Sequence, residues 1–368
     1  MDFIPVNEPD LSGNEKKYVQ ECIDTGWISS EGPFVERFEY GIAALTKRKH
    51  AFAVCNGTAA LELAVKAIGI QRGDEVIIPS FTIISCALAV IRAGATPVYV
   101  DADERTWNMR PDHIKPLITE KTKAIMAVHI YGLTVDMDAV LDIAREHDLL
   151  VIEDAAEAIG QTYKGKPCGS FGDISTFSFY PNKHVTTGEG GMVLCNRDDL
   201  ADRCKSLRNL CFGKIDRFVH KELGWNFRMS NLQAAVGIAQ LERLGATIEK
   251  KRKIGKHYLE AFKGNEFFQL PLLKTDYCEN IFWVFGIISK AKNKSAKYYM
   301  GKLGKICGTR PFFHPLHLQP ALSFYGKGKQ VLPVSKHLAE QGFYLPSSTN
   351  LTSQKIQYLF DSILKVST

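Results

Sequence analysis

The feature that most constrains the fold is a series of short apolar segments, from about residue 50 to residue 200, that alternate with segments of helical character. The apolar segments are HAFAV, EVIIPS, TPVYVD, TKAIMAVHIYG and LLVIEDA. The segments between them are GTAALELAVKAIG, ISCALAVIRAG and DMDAVLDIAREHD, and the last repeats its apolar residues with the period of an amphipathic helix. Strands that are apolar on both sides need cover on both faces. The pattern therefore predicts an α/β fold with a mostly parallel sheet flanked by helices.

The remainder of the chain predicts a second, smaller domain. A long helical pattern begins at Ser230, a residue suited to the N-cap, and reads SNLQAAVGIAQLERLGATIEKKRKIGKHYLEAF. A helix of this length usually connects two domains. Beyond it, the strand-like segment ENIFWVFGIIS is mixed with the helical segments VSKHLAEQG and SQKIQYLFDSILKV. We expect a large domain with an N-terminal arm over residues 1–240 and a small C-terminal α+β domain over residues 241–368.

The charge balance argues against a protein that binds nucleic acid. The chain has 46 basic and 40 acidic residues, which gives a mild net charge of +6 over 368 residues. The densest basic run, EKKRKIGK, has no interleaved aromatic residues and is typical of the solvated face of a helix.

The cysteines and the apolar runs indicate the cellular compartment in which the protein functions. There are nine cysteines, none spaced as C-x-x-C, which argues against a disulfide framework or a zinc site and favours a reducing compartment. The first residues lack the pattern of a signal peptide, and no apolar run approaches the roughly 18 residues needed to span a membrane. We therefore expect a soluble, cytoplasmic protein that engages neither membrane nor metal.

Polar residues that could bind a ligand or take part in a reaction follow the ends of the strands, which is where parallel sheets bind ligands. The sequence NGTAAL opens a helix, and the free amides at its start, together with the Thr58 hydroxyl, would form a cradle for a phosphate. An ordinary capped helix start explains the same residues, so both interpretations stand at this point.

An acid and a lysine follow this helix start along the chain. Asp154 ends a buried strand in VIEDAAEA, where an acid needs either a cationic ligand atom or a buried salt bridge. Ser178 and Lys183 lie in TFSFYPNK, just before the glycine-rich turn GEGGMV, and offer a second phosphate donor and an amine. Taken alone, the lysine is either a catalytic amine or a loop charge.

The order of these features favours pyridoxal 5′-phosphate (PLP) as a cofactor. Its phosphate needs amides and hydroxyls, its ring nitrogen needs a carboxylate that keeps it protonated, and its aldehyde forms a Schiff base with a lysine. The phosphate cradle, Asp154 and Lys183 occur along the chain in that order. Together they predict the cofactor more strongly than any one of them alone.

Longer segments resemble the DegT family of nucleotide-sugar aminotransferases, which belong to the fold-type I PLP enzymes. The similar segments are TGWISSEGPFVERFE, NGTAALELAVKAIGIQRGDEVIIPSFT, GATPVYVDAD, VIEDAAEAIGQTYKGKPCGSFGDISTFSFYPNKHVTTGEGGMV, GWNFRMSNLQAAVGIAQLER and TRPFFHPLH. They extend from about residue 4 to residue 350, so the resemblance covers nearly the whole chain. It implies the fold-type I aminotransferase fold, with the cofactor in the large domain.

The resemblance implies a role for each residue of the cofactor site. Lys183 would carry the cofactor as a Schiff base and, once released, would move the proton between the cofactor's carbon and C4 of the sugar. Asp154 would pair with the ring nitrogen, and Glu157 would lie near the ring hydroxyl. Asn226, in GWNFRM, would reach the cofactor phosphate of a neighbouring subunit, which implies a homodimer with shared active sites. The phosphate would be held by Asn56, Gly57, Thr58 and Ser178.

One cofactor residue departs from the family pattern. Members usually carry an aromatic residue after PSFT, where it stacks on the cofactor ring, whereas this chain has Ile83. An aliphatic side chain can pack on the ring face, but it lacks the aromatic stacking energy of about 0.5–1.5 kcal/mol.

The implied substrate is a nucleotide-linked 4-keto-6-deoxysugar, which would receive the amino group of L-glutamate and leave 2-oxoglutarate. The runs NKHVTTGEGGMV and RPFFHPLH most resemble members that act on GDP-4-keto-6-deoxymannose. A UDP- or dTDP-linked 4-keto-6-deoxyglucose is the alternative, since nothing in the sequence distinguishes the bases. Arg310 is suited to a diphosphate. The other residues at family positions near the sugar nucleotide are Trp27, Ser29, Ser30, His314 and His317, with loop packing as the alternative for the histidines.

Two further functions are compatible with the same resemblance. Members with histidine in place of the lysine dehydrate the sugar, but alignment on TTGEGG places Lys183 at that position and leaves His184 as a loop residue. A sensor that binds PLP or a sugar nucleotide without turnover is the third hypothesis. The presence of every residue that the chemistry needs argues against it.

Overall fold

The computed structural model describes residues 2–213, 215–326 and 330–367. The predicted alternating region forms a seven-stranded sheet, and the C-terminal third contains a four-stranded sheet. The strands are β1 His50–Val54, β2 Glu75–Pro79, β3 Thr96–Val100, β4 Thr122–Val128, β5 Leu150–Asp154, β6 Thr162–Tyr163, β7 Lys166–Pro167, β8 Ile174–Ser178, β9 Gly191–Cys195, β10 Phe268–Gln269, β11 Phe285–Ser289, β12 Arg310–Pro311 and β13 Gly342–Leu345. The helices are α1 Glu15–Thr25, α2 Pro33–Thr46, α3 Gly57–Ala67, α4 Ser85–Arg92, α5 Met137–Glu146, α6 Asp198–Arg208, α7 Asn231–Leu241, α8 Leu244–Ala261, α9 Ala296–Leu303, α10 Pro333–Gln341 and α11 Ser353–Ser367.

The seven-stranded sheet has the order β1-β9-β8-β5-β4-β2-β3 and is mostly parallel, as predicted. Strands β2, β3, β4, β5 and β8 run in one direction, whereas β9 is antiparallel to both of its neighbours. This arrangement brings the carboxyl ends of β1, β2, β5 and β8 to one edge, together with the start of β9. The residues that follow these strands therefore share the ligand-binding edge of the sheet.

Helices cover both faces of this sheet, which explains why its strands are apolar on both sides. Ile77 and Ile78 are adjacent in β2, so their side chains point to opposite faces of the sheet. Both are fully buried, so both faces are covered. Ile78 packs in a cluster with residues of α3 and α4, and Ile77 packs in a second cluster with residues of α5. Burial of each such side chain contributes about 1.5–3 kcal/mol to folding. The predicted α/β architecture is thus confirmed.

The four-stranded sheet is antiparallel, with the order β10-β11-β13-β12, and packs with α8, α9 and α11. The strand predicted over ENIFWVFGIIS is shorter than expected, because it begins only at Phe285. Ile4 pairs with Cys307 and lies in the apolar cluster of this region, so the start of the chain packs against C-terminal elements. The division into residues 1–240 and 241–368 stays a prediction.

The long helix predicted after Ser230 is in fact two helices. Ser230 caps α7 as predicted, and its side chain forms a capping box with Gln233. The helical run is interrupted at Glu242 and Arg243, and Arg243 pairs with Asp10 at 3.0 Å. The break therefore coincides with the place where the first residues of the chain dock.

The basic run EKKRKIGK lies on α8, but it is not wholly solvated as expected. Lys251 is buried, and its ammonium donates to the Ser347 carbonyl at 2.6 Å. Burial lowers the pKa of Lys251 to about 7. One lysine of the run is thus a packing residue.

Among the described residues, none of the helices combines the length and the apolar character needed to cross a membrane. All nine cysteines are free thiols, and eight of them are buried. They contribute to the core as small apolar side chains.

Candidate active site

A cavity of about 920 Å³ opens at the carboxyl edge of the large sheet, where β5 and β8 end. The structure places eight of the nine predicted cofactor residues in its wall. These are Asn56, Gly57, Thr58, Ile83, Asp154, Glu157, Ser178 and Lys183. Segments that are remote along the chain thus converge on one site.

The start of α3 has the form of the predicted phosphate cradle. Asn56 has an extended backbone and caps the helix by accepting a hydrogen bond from the Ala59 N–H at 2.8 Å. The N–H groups of Gly57 and Thr58 belong to the first turn, where the helix itself supplies no acceptor, so they are suited to bind an anion. Asn56 therefore satisfies the interpretation as a capped helix start without excluding the phosphate site.

Hydroxyl groups surround these two amides. Thr58 Oγ1 lies 2.8 Å from Ser85 Oγ, and both residues line the cavity. A β-carbon on Gly57 would lie 2.8 Å from Ser178 Cβ, so glycine at this position allows β8 to approach the helix start. Two amides and three hydroxyls thus gather at one end of the cavity, a donor set that fits a phosphate.

Asp154 is buried at the end of β5. Its carboxylate accepts hydrogen bonds from the Ala156 N–H at 3.0 Å, the Thr176 hydroxyl at 3.4 Å and the Cys86 thiol at 3.5 Å. Burial raises its pKa, and within the described part of the chain it forms no ion pair with a lysine, arginine or histidine nitrogen within 4.0 Å. Asp154 therefore has no cationic side chain among the described residues with which to form an ordinary buried salt bridge. Its carboxylate is suited to a cationic ligand atom instead.

Lys183 lies in the turn between β8 and β9, with 10% of its side chain exposed. Its ammonium is 3.8 Å from Glu157 Oε1, and the other Glu157 oxygen accepts the Tyr131 N–H at 2.8 Å. Burial lowers the pKa of Lys183 and raises the pKa of Glu157 to about 7, because each charge loses its water. A lowered pKa makes the free amine more abundant near neutral pH, and the free amine is the nucleophile.

Aromatic side chains complete the cavity wall, and no sequence pattern had singled them out. The ring of Trp283 has its centroid 3.6 Å from the Lys183 ammonium. Aromatic runs usually indicate core packing, so only the fold shows which rings reach a ligand site. The other aromatic residues in the wall are Phe177, Tyr180, Trp225, Phe227, Phe313 and Tyr344.

Asn226 is the one predicted cofactor residue outside the cavity wall, although its neighbours Trp225 and Phe227 line it. Its side chain is exposed and accepts a hydrogen bond from Arg228 at 2.9 Å. The predicted contact with a neighbouring subunit requires such an exposed position beside the cavity, and it stays a prediction.

The predicted substrate residues of the C-terminal region also lie outside the wall. Arg310 is exposed in β12 and pairs with Tyr344, which lines the cavity. His317 Nδ1 lies 2.7 Å from the hydroxyl of Ser80, and partial burial lowers the pKa of the imidazole. His314 is exposed. The contacts of His317 favour the loop-packing alternative for that residue.

Trp27, Ser29 and Ser30 precede α2 and do not line the cavity. Asn231, at the start of α7, donates from its side chain to the Trp27 carbonyl at 2.7 Å and from its backbone to the Ser29 carbonyl at 2.6 Å. Its side chain also accepts the Phe34 N–H at 2.9 Å, so it fixes this loop against two helices. The Trp27 side chain is exposed, and a role in substrate binding stays a prediction.

His184 is buried and is not part of the cavity wall. Burial lowers its pKa to about 3, so the imidazole is neutral near pH 7. These properties suit the predicted loop role and leave the amine chemistry to Lys183.

One buried group among the described residues has the composition of a metal site, namely His129, Glu153 and Cys168. Hydrogen bonds within the protein already engage its imidazole and carboxylate. His129 Nε2 lies 3.0 Å from Glu153 Oε1, and the Val135 N–H donates to His129 Nδ1 at 3.1 Å. The Gly169 N–H also donates to Glu153 at 2.7 Å. The group therefore anchors the loop before β8.

The chain matches the DegT/DnrJ/EryC1/StrS aminotransferase family over residues 9–364. It belongs to this family. The predicted resemblance and the predicted enzyme class, an aminotransferase, are thereby confirmed.

Individual relatives agree with this assignment. GDP-perosamine synthase of Escherichia coli O157:H7 is 41% identical over 363 residues, which cover 99% of this chain and 98% of that protein. The structure of S. venezuelae DesV in complex with a ketimine intermediate matches with a TM-score of 0.92 and 30% identity, covering 100% of this chain and 99% of that chain. DesI in the presence of its TDP-sugar product matches with a TM-score of 0.90 and 30% identity, covering 100% and 94%. The predicted aminotransferase fold is confirmed.

Proposed function

We propose that the protein is a PLP-dependent aminotransferase that converts GDP-4-keto-6-deoxymannose to the 4-amino sugar GDP-perosamine, with L-glutamate as the amino donor. The observation that carries this proposal is the convergence of Lys183, Asp154 and the phosphate cradle in one cavity. The similarity to GDP-perosamine synthase over 99% of the chain supports the choice of sugar and nucleotide.

The residues of the cavity fit the cofactor. The amides of Gly57 and Thr58, with the neighbouring hydroxyls, are suited to its phosphate. The Asp154 carboxylate is suited to its protonated ring nitrogen, and Ile83 offers an apolar side chain to the ring face. When bound, PLP supplies an electron sink that lets an amino group pass from glutamate to the sugar.

The side chains of the protein orient the reactants and move protons. Three hydrogen-bond donors fix the Asp154 carboxylate, so that it holds the proton of the ring nitrogen in place. Lys183, once its amine is free, acts as the general base and acid that takes up a proton and delivers it at C4 of the sugar. The carboxylate of Glu157, 3.8 Å away, favours the protonated form of that amine.

A UDP- or dTDP-linked 4-keto-6-deoxyglucose is the second candidate substrate, and the similarity to DesI, which was solved with a TDP-sugar product, favours the dTDP form. In either case the sugar nucleotide would be bound by the loop that carries Trp27, Ser29 and Ser30 and by the region of Arg310. The histidines His314 and His317 complete the predicted set of substrate residues.

We further propose a homodimer in which Asn226 of one subunit reaches the phosphate site of the other. Large apolar side chains beside Asn226 in the chain, at Ile215, Phe218 and Leu223, are exposed, which supports an interface at this surface. A reducing, cytoplasmic location suits nine cysteines that are all free.

The experiment that tests the function begins with the cofactor. Purified protein with PLP should show an absorption band near the visible region that Lys183→Ala abolishes, with the far-UV circular dichroism unchanged. Incubation with GDP-4-keto-6-deoxymannose and glutamate should yield the amino sugar and 2-oxoglutarate in equal amounts. A protein that shows no band and takes up no PLP would contradict the proposal.

The same assay separates the alternatives. Faster turnover of the dTDP- or UDP-linked ketosugar would reassign the nucleotide. A deoxygenated sugar formed without 2-oxoglutarate would indicate the dehydratase, and binding without any turnover would indicate the sensor.

A further inference from the structure

Trp283 makes two contacts with the lysine turn, one with Lys183 and one with Asn182, that the chemistry described so far does not use. The Lys183 ammonium lies over the indole, 3.6 Å from the ring centroid. The indole N–H donates to the carbonyl of Asn182, directly before the lysine, at 2.8 Å. Trp283 is 5% exposed and lines the cavity. One side chain thus holds both the backbone of the lysine turn and the amine at the end of the lysine side chain.

Close packing fixes the backbone that carries this indole. Phe282 has a φ of 47°, in the left-handed region, and its N–H is held by the Asn280 side chain at 2.7 Å. Gly132 has a φ of 96°, and a β-carbon on it would lie 2.9 Å from the backbone nitrogens of Phe282 and Trp283. Any other residue at position 132 would therefore push the two loops apart.

A buried amide ties the same two loops together. Gln161 donates to the Gly132 carbonyl at 2.6 Å and to the Glu279 carbonyl at 2.8 Å. The Tyr131 ring packs beside the indole, with the ring centroids 5.8 Å apart. Trp283 is therefore held from several sides by the protein itself, which is what a precise positioning role requires.

The ring face opposes the effect of burial on the amine. Burial disfavours the charged form of Lys183 and lowers its pKa, whereas the carboxylates of Glu157 and Asp154 raise it. The face of an aromatic ring carries negative charge density, and indole attracts cations more strongly than the other aromatic side chains do. The contact with Trp283 therefore adds to the stabilisation of the ammonium at this buried position.

We propose that Trp283 is a positioning residue that holds the amine of Lys183 in the cavity wall and favours its protonated form once that amine, released from the cofactor, has taken up a proton. This inference rests on the proposed function of Lys183. In that state the lysine has to keep the proton that it later delivers at C4 of the sugar. The ring holds the ammonium in the cavity wall, and the N–H bond to Asn182 keeps the turn in place while the side chain moves.

The experiment measures the proton affinity of this one amine in the full-length protein after removal of the cofactor. Labelling with acetic anhydride from about pH 6 to about pH 11, read by mass spectrometry of the Lys183 peptide, gives the pH midpoint of its reactivity. Trp283→Leu should lower this midpoint by about one pH unit, because the ammonium loses the ring face. Trp283→Phe keeps a ring and should lower the midpoint by less.

A matched control uses another indole of the same cavity wall. Trp225 lines the cavity, but no cation–π contact of its ring with Lys183 occurs among the described residues, so Trp225→Leu should leave the midpoint unchanged. A midpoint in Trp283→Leu equal to or above that of the unchanged protein would overturn the proposal. If Trp283→Leu does not fold, Trp283→Met offers the same comparison with a longer side chain that also has no ring.

Failure of this inference is distinguishable from failure of the proposed function. Loss of the cofactor band in Lys183→Ala, combined with an unmoved midpoint in Trp283→Leu, would refute only the role of Trp283. A band that persists in Lys183→Ala would refute the function of the lysine, whatever the labelling shows.

Discussion

The Lys183 ammonium lies 3.8 Å from Glu157 Oε1, and the burial of both side chains disfavours both charges. Burial lowers the pKa of the amine and raises the pKa of the carboxyl group to about 7, while each charge favours the other. The two groups therefore titrate as a pair, and the protonation of the amine depends on the state of the carboxyl group.

Replacement of Glu157 by glutamine should lower the pKa of Lys183 further, because the favourable charge disappears while burial remains. The rate at which the apo-protein captures PLP, followed through the absorption band of the bound cofactor, should then reach its plateau at a lower pH. Glutamine can still accept the Tyr131 N–H that Glu157 accepts at 2.8 Å, so the loop should keep its place. A plateau at the same pH as in the unchanged protein, or at a higher pH, would speak against the coupling.

Gly57→Ala should weaken the binding of PLP through its phosphate. The new β-carbon would lie 2.8 Å from Ser178 Cβ, so α3 and β8 would have to separate and the cradle would widen. We expect the Kd for PLP to rise at least about tenfold, a loss of about 1.4 kcal/mol, as measured by absorbance titration. Gly245→Ala is the control, since nothing lies within 4 Å of a β-carbon at that position in α8. Equal dissociation constants for the two variants would show that the close approach of β8 is not needed.

The large sheet and most of the candidate site could be predicted from the sequence because both depend on local patterns. Strands such as β2 and β5, which are apolar on both sides, require cover on both faces. Parallel strands then place the residues that follow them at one edge. Asp154 and Gly57 could therefore be assigned to one site without knowledge of any distance between them.

The contacts of Trp283 and Lys251 could not be predicted, because they depend on segments that are distant in the chain. The aromatic segment around Trp283 has the pattern of a strand, yet the strand begins only at Phe285. The place of the indole is set by the close approach of Gly132, about 150 residues earlier. Likewise, Lys251 occupies a basic helical run that is typical of a solvated face. Only the fold shows that its ammonium is buried and donates to the Ser347 carbonyl.

Cys86 should tune the acidity of Asp154. Its thiol donates to the carboxylate at 3.5 Å and lies 3.6 Å from the Thr82 hydroxyl, and burial raises the pKa of the thiol well above its usual range. The thiol therefore stays protonated and favours the ionised form of Asp154. A hydroxyl is a stronger donor than a thiol, so Cys86→Ser should lower the pKa of Asp154, and Cys86→Ala should raise it.

The measurement is the acid-side midpoint of PLP binding, since the ring nitrogen needs an ionised carboxylate. We expect this midpoint to move by about half a pH unit, downward in Cys86→Ser and upward in Cys86→Ala. The opposite order, or a common midpoint for both variants, would show that the thiol does not act on Asp154.

Lys251 should make the stability of the protein depend on pH in the alkaline range. Its ammonium donates to the Ser347 carbonyl at 2.6 Å, and burial lowers its pKa from 10.5 to about 7. Between these two pH values the unfolded chain binds more protons at this site than the folded protein does. The free energy of unfolding should therefore rise as the pH increases from about 7 to about 10, and this contribution should be flat below pH 7.

Urea unfolding at several pH values across this range isolates the effect of Lys251 by comparison between variants. Lys251→Met lacks the titrating group, so its free energy of unfolding should not show the rise with pH that this group gives the unchanged protein. Lys253→Met is the control, because Lys253 is exposed on the same helix, and this variant should keep the rise. Removal of the amine also leaves the Ser347 carbonyl without this donor, so the variants are compared by the slopes of their curves and not by their absolute stability. Parallel curves for the unchanged protein and Lys251→Met would mean that Lys251 keeps an ordinary basicity in the folded state.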